Sequence, residues 1–346
     1  MPSCPPVVPP RSIVVAQLAF IGDMVFATPL LARLAETWPG AEIAVVGRPA
    51  ALEVLADEPR VAARIPYDKD HGHRGVGGLL RVARQVRRLR PGLFVGVTRS
   101  TRTALLAALS GAAVRVGFAG PGARLGYHRV VVRDQGLPFP ARPLALLDPL
   151  GIPRGEARMR LSVSDTAREE ARQRLRAAGW RGEPLLAIAP GAHWATKRWP
   201  PSHWGRLLDL VLADGALRPA LYGGPAEESL VGQLLADRPG VLDRRGAGIR
   251  GVVRELSLAA AFAGGDSGPA HIARALGTPA VVLHGPTDPE PLAYGPGTRV
   301  LTVDVSCRPC SPHGDPACPL GHHRCLVDLE PERVFAAIRD AARPVV

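Results

Sequence analysis

Short apolar runs alternate along the chain with longer segments whose apolar positions recur every three or four residues. Ser12–Leu18 is the first such run, Ile21-Gly22-Asp23 reads as a turn, and Met24–Trp38 carries helical spacing. Pro39-Gly40 closes that helix, because proline cannot donate the next hydrogen bond and glycine accepts the reversed backbone. Glu42–Val46 is the next apolar run. The same grammar restarts at Leu185–Ala189, which is followed by a polar loop, Pro190–Pro201, and a helix over Ser202–Ala213. Ala220–Tyr222 runs into Gly223-Gly224-Pro225 and a helix from Ala226 to Ala236, and Ala280–His284 is a further buried-type strand. Strands alternating with helices predict βαβ units and parallel sheets covered on both faces, an α/β chain of two doubly wound domains. The irregular stretch Asp148–Asp165 separates the two series. The domains expected are therefore residues 11–155 and 165–330, with a last segment, 331–346, whose helix is a candidate to pack back on the first domain.

Composition narrows this picture. Hydrophobic residues are 46% and charged residues 21%, enough to build cores and too apolar for global disorder. No apolar run reaches the ~20 residues that cross a bilayer. Met1–Pro10 is proline-rich and uncharged, unlike the basic start of a secretory signal, so the expectation is a cytoplasmic protein. The net charge of +12 is concentrated: His71–Asp134 holds twelve arginines and a single acid, Asp134. A solvated helix usually mixes both signs, so a surface of one sign points to an anionic partner such as an acidic lipid or a phosphorylated glycan. Nucleic acid fits less well, since aromatic residues are only 5% and no stacking motif interleaves the arginines.

In a doubly wound sheet ligands bind beyond the carboxyl ends of the strands, so the loops there are the candidates for chemistry. Asp23, after the first strand, is either a base for a substrate hydroxyl or a cap on the helix that follows. In Pro190–Pro200, Lys197 and Arg198 would meet charge on a leaving phosphate and Thr196 would donate to a phosphate oxygen. Lys197 is one of only two lysines in a chain that writes its other cations as arginine. Gly264-Gly265-Asp266-Ser267-Gly268-Pro269-Ala270-His271 opens a helix, and backbone N–H groups at a helix start bind anions. Asp266 is expected to cap that helix or orient its neighbours. Cys307-x2-Cys310-x7-Cys318-x6-Cys325, with His322 and His323 nearby, leaves two readings open: four zinc ligands or reduced thiols.

Three motifs in order resemble glycosyltransferase family 9, the heptosyltransferases of lipopolysaccharide core assembly. They are Ile21-Gly22-Asp23-Met24-Val25 through Thr28-Pro29-Leu30-Leu31; Pro190-Gly191-Ala192 with Ala195-Thr196-Lys197-Arg198-Trp199-Pro200; and Asp266–His271 with Ala275–Pro279 and Gly285–Pro289. Cys318-Pro319-Leu320-Gly321-His322 resembles the second heptosyltransferase subgroup. Three departures are the Ala19-Phe20 pair before Gly22-Asp23, Gly265 where relatives often carry Asn, and the stretch Leu256–Gly264, short for the helix plus strand usually found there. The resemblance implies the GT-B fold, two facing Rossmann-like domains with an interdomain cleft, the first for acceptor and the second for nucleotide sugar. It implies inverting transfer from ADP-heptose to an anionic, lipid-linked glycan, with no cofactor and no catalytic metal, by a cytoplasmic enzyme peripheral at the inner membrane. By motif, Asp23 would be the base and Lys197 would bind the donor diphosphate beside Thr196. Asp266, Ser267, Gly268, Pro269 and His271 would line the donor site, and Glu227 would lie near the nucleoside. Arg99 and Arg102, in the basic segment, are the candidates for acceptor contact. The competing readings are a sugar-nucleotide epimerase of the same fold and a basic, non-enzymatic protein that binds nucleic acid or an anionic surface.

Overall fold

The computed structural model describes residues 8–292 and 295–342. Most of the proline-rich start, residues 1–7, and the end of the last expected segment, 343–346, lie outside the described residues. The chain divides between Ser162 and Val163 into two units, each built on a six-stranded sheet.

In the first unit β1 (Ser12–Gln17), β2 (Glu42–Gly47), β3 (Ala63–Pro66), β4 (Leu93–Gly96), β5 (Val114–Phe118) and β6 (Arg129–Val131) lie in the order β3-β2-β1-β4-β5-β6. In the second, β7 (Leu185–Ala189), β8 (Arg218–Leu221), β9 (Leu242–Asp243), β10 (Ala261–Gly265), β11 (Ala280–Leu283) and β12 (Thr298–Leu301) run β12-β11-β10-β7-β8-β9. Counted from its own first strand, the second sheet has the order of the first. Every described pairing is parallel. β1 and β7 are buried along their whole length, as strands flanked and covered on both sides must be. In both sheets the winding reverses between the first strand and the fourth, which opens a crevice at their carboxyl ends.

The first turn expected after β1 is helical instead. Ile21–Phe26 is one helix and Thr28–Thr37 another, so the single helix expected over Met24–Trp38 is interrupted at Ala27. Pro29 explains the break. It has no N–H for the Val25 carbonyl, and the Thr28 hydroxyl donates to that carbonyl in its place, at 2.7 Å. The basic segment forms the helix Gly75–Arg88, which buries Leu79, Val82, Ala83 and Val86 and exposes Arg81, Arg84, Arg87 and Arg88.

The last helix, Pro331–Ala341, the candidate to pack back on the first domain, buries apolar residues within the second unit. Val334 and Ile338 enter the core of its own unit, with Trp199 and Leu208. Arg339 pairs with Asp214 at 3.1 Å and Arg206 with Glu332 at 2.9 Å. Two fully buried branched side chains are worth roughly 1.5–3 kcal/mol each. Among the described residues no helix is long and apolar enough to cross a membrane.

Candidate functional site

Each unit carries a cluster at its own switch point. In the first, the loop after β1 meets the loop after β4. The Gln17 side chain accepts from the Thr98 hydroxyl at 2.6 Å and donates to the Asp23 carbonyl at 3.3 Å, while Thr98 Oγ1 accepts from the Leu18 N–H at 2.7 Å. This tie places Asp23, the third residue of helix Ile21–Phe26, at the edge of an open pocket with about 450 Å³ of empty space, mouth included. Asp23 Oδ2 accepts from the Phe20 N–H at 3.2 Å. The carboxylate therefore does cap its helix, and it does so while half-buried in the pocket wall.

Arg99 lines the same pocket. Arg102 does not: the Ser100 side chain accepts from the Thr103 N–H and starts helix Thr101–Leu109, on which Arg102 is exposed. The pocket takes two arginines that sequence reasoning missed, Arg133 and Arg142. Arg142 is only 6% exposed and lies 4.1 Å above the Phe139 ring, which stacks on Phe26 at 5.4 Å and 12°. Arg133 stands in irregular chain just beyond β6, and Arg142 opens the 3-10 helix Arg142–Leu150.

In the second unit the loops after β7 and β10 meet. Lys197 Nζ donates to Asp266 Oδ2 at 2.6 Å, and His271 Nε2 stands 3.6 Å from Asp266 Oδ1. Gly265 permits this closure, since a Cβ there would lie 2.8 Å from the Lys197 carbonyl oxygen. Asp266 does not cap helix Gly268–Leu276. Its N-cap is Ser267, and no side chain caps it. The Ser267 hydroxyl oxygen is itself buried without a hydrogen-bond partner among the described residues. Glu227, in the turn Pro225–Glu227 after β8, accepts from the Gly224 N–H at 2.9 Å and packs on Gly191, where a Cβ would meet its side chain at 2.3 Å. It thus stands against the loop that carries Lys197.

Thr196 departs from its expected role. Its hydroxyl donates to the Asp315 carbonyl at 3.0 Å and accepts from the Asp315 N–H at 2.8 Å, so it anchors the loop rather than offering its proton to a phosphate. His323 Nε2 lies 2.8 Å from the Thr196 carbonyl and braces the same loop. Cys307, Cys310, Cys318 and Cys325 are free thiols. Among the described residues no group of three or more His, Cys, Asp or Glu side chains is arranged to hold a metal.

Electrostatics at the second cluster follow from burial and charge. Burial opposes ionisation of Asp266, but His271, the Lys197 ammonium and His284 outweigh it and hold the carboxyl down to about 2. Burial pushes the His271 imidazole down to about 4; Asp266 opposes this, while Arg274, Lys197 and His284 add to it. The unfolded chain takes up the His271 proton near 6.5. Between those two values it binds more protons than the folded chain, so stability falls as the pH drops from 6.5 towards 4, by up to about 3 kcal/mol. Asp266 contributes only below that window. Urea unfolding at pH 7 and pH 4.5 should show a smaller loss for His271→Gln than for the wild type. Part of the slope persists in that variant, because burial also lowers His284. Equal losses would refute the assignment.

The family model of glycosyltransferase family 9 (heptosyltransferase) matches residues 79–322. Lipopolysaccharide heptosyltransferase 1 of Pseudomonas aeruginosa is 32% identical over 161 residues, 46% of this chain and 45% of that protein, so the matched part spans under half of that relative. Lipopolysaccharide heptosyltransferase 2 of Escherichia coli K12 is 26% identical over 93% of this chain and 96% of its own. Two solved structures share the fold at 22% identity. A family 9 glycosyl transferase of Veillonella parvula matches with a TM-score of 0.85 over 96% of this chain and 97% of that one. The ADP-heptose lps heptosyltransferase II of E. coli matches at 0.79 over 96% and 98%. With two doubly wound sheets and a family match across most of its length, the chain belongs to glycosyltransferase family 9, the heptosyltransferase family, and is a glycosyltransferase of GT-B fold.

Proposed function

We propose that the chain transfers a heptosyl residue, with inversion and without a catalytic metal, from ADP-heptose to a hydroxyl of a lipopolysaccharide core or related lipid-linked glycan. The donor and acceptor classes come from the names of the relatives above. Asp23 takes the proton as the acceptor oxygen forms its bond to the anomeric carbon. The bond from that carbon to the diphosphate breaks, and ADP leaves with the electron pair. Charge on the departing phosphate is met by the Lys197 ammonium, which uses one of its three N–H donors on Asp266, and by the N–H groups at the start of helix Gly268–Leu276. Gly268 and Pro269 form the first turn there, His271 holds the far side of Asp266, and Glu227 faces the nucleoside end. The observation that carries this reading is the second switch point: an uncapped helix start, a buried hydroxyl on Ser267 awaiting a partner, and a lysine fixed beside them.

The exposed arginines of helix Gly75–Arg88 fit peripheral contact with an anionic inner-membrane surface. Among the described residues Arg81, Arg84, Arg87 and Arg88 make no ion pair, and exposed Val76 and Leu80 add apolar contact. One experiment addresses both aspects. Transfer from ADP-heptose is followed with acceptor held in anionic vesicles, beside thermal shifts with ADP, UDP and GDP. ADP should raise the melting point most. Added salt should weaken transfer on vesicles far more than the ADP shift, since exposed charge is screened. A UDP preference would overturn the donor assignment, and salt-indifferent transfer would overturn the membrane contact.

A further inference from the structure

The loop that carries Lys197 is held from a distant part of its own unit. Every polar atom of Thr196, the residue before it, bonds to the segment from Asp315 to His323. The Thr196 N–H donates to the Asp315 carbonyl at 3.2 Å, and the hydroxyl donates to that carbonyl and accepts from the Asp315 N–H. The Thr196 carbonyl lies 2.8 Å from His323 Nε2. A carbonyl oxygen only accepts, so His323 carries a proton on Nε2 and is the donor. The other end of the segment is tied as well. Arg308 Nε donates to the Gly285 carbonyl at 2.8 Å, and the Cys310 N–H donates to the Pro286 carbonyl at 3.1 Å, just past β11. The two ends converge, since a Cβ on Gly285 would lie 3.1 Å from the Thr196 carbonyl oxygen. Residues 308–323 thus strap the loop after β7 to the loop after β11. Asp315 works through its backbone, which any residue but proline could offer; His323 alone gives Thr196 a side chain. His323 also stands in the left-handed region, at φ 48, where a side chain is strained and persists only if its surroundings hold it.

We propose that His323 is a positioning residue for the transfer: it clamps Thr196 and so fixes the Lys197 ammonium where the departing diphosphate develops charge. This rests on reading Lys197 as the group that meets that charge. His323 acts through the lysine and needs no contact with either substrate. Lys197 follows Thr196 directly, with no residue between them to absorb a shift, and a misplacement of about 1 Å can cost about a hundredfold in rate.

The test compares four full chains: wild type, His323→Gly, Lys197→Met with Asp266→Asn, and all three changes together. His323→Gly should lower kcat about tenfold to hundredfold and leave KM for the acceptor unchanged, as expected when only the transition state loses a contact. Glycine takes φ 48 without strain, which offsets the lost ring bond, so unfolding in urea should stay close to wild type. Where the lysine is already gone, His323→Gly should cost no further transfer, because an effect routed through Lys197 has nothing left to act on. His323→Gln keeps an N–H donor at similar reach and should restore most of the wild-type kcat. A loss as large without the lysine as with it would overturn the inference, as would a His323→Gly chain that turns over like the wild type. A kcat that falls only in step with stability to urea, or that His323→Gln fails to restore, would make the residue structural and overturn it too. Failure of the proposed function is read from a different chain: if Lys197→Met with Asp266→Asn transfers at the wild-type rate, the role given to Lys197 falls, and this inference with it.

Discussion

Asp23→Asn should lower the turnover of glycosyl transfer by about 10²–10⁴-fold, the usual contribution of a positioned general base. Asparagine is the informative replacement because Asp23 also holds its helix, accepting from the Phe20 N–H at 3.2 Å. An amide oxygen can keep that bond, since Asn and Asp serve helix starts almost equally well. Its conjugate acid is far too strong for the amide to take the acceptor proton. The helix Ile21–Phe26, the stability to urea and the thermal shift with ADP should therefore stay close to wild type. Asp23→Ala removes both functions, and should add a stability loss of about 1 kcal/mol to the same catalytic defect. If Asp23→Asn turns over at the wild-type rate, the carboxylate is a cap and nothing more. If the two variants differ greatly in turnover, structure rather than proton transfer accounts for the loss.

What the sequence disclosed about this site depended on where each residue stands. Asp23 and Lys197 follow apolar runs that were recognisable as strands, and the rule that ligands bind past strand ends singles out what comes next; Asp266 was marked instead by the glycine-rich turn that opens a helix. The sheet order then brings loops distant in sequence to one crevice in each unit, β1 with β4 and β7 with β10. Arg133 and Arg142 were hidden for a different reason. They follow β6, an edge strand of three residues, Arg133 in irregular chain and Arg142 at the start of the 3-10 helix Arg142–Leu150, which no periodicity in the sequence announces. Arg133 belongs to the basic segment His71–Asp134, but among its twelve arginines nothing in the sequence singles it out. Arg102 stands in the same basic segment as Arg99, but the helix started by Ser100 turns it to solvent. Thr196 looked like a phosphate ligand because it precedes Lys197, and only the fold shows Asp315 taking its hydroxyl. The last helix was plainly amphipathic; its pattern states that one face is buried and cannot state against what.

Lys197→Met should have the larger structural consequence, and separating that from catalysis needs a second change. The ion pair is largely out of water: the Lys197 side chain is 15% exposed and that of Asp266 is 4%. Removing the ammonium leaves a buried carboxylate whose remaining neighbours, His271 and His284, are imidazoles that burial keeps from protonating. The expected loss is about 3–5 kcal/mol, and Asp266 should titrate at higher pH than in the wild type because it loses the attraction of a full positive charge. Lys197→Met with Asp266→Asn removes both charges and should recover most of that stability, since a neutral pair leaves no stranded charge. Transfer should remain down by about 10²–10³-fold in the double variant, the range for loss of one group that meets developing charge, and the ADP thermal shift should be reduced. Urea unfolding, ADP titration and turnover on the wild type, the single variant and the double variant decide the matter. Recovery of turnover along with stability would make Lys197 a counter-ion for Asp266 alone, and the departing diphosphate would then have only the helix start and Ser267 to receive it.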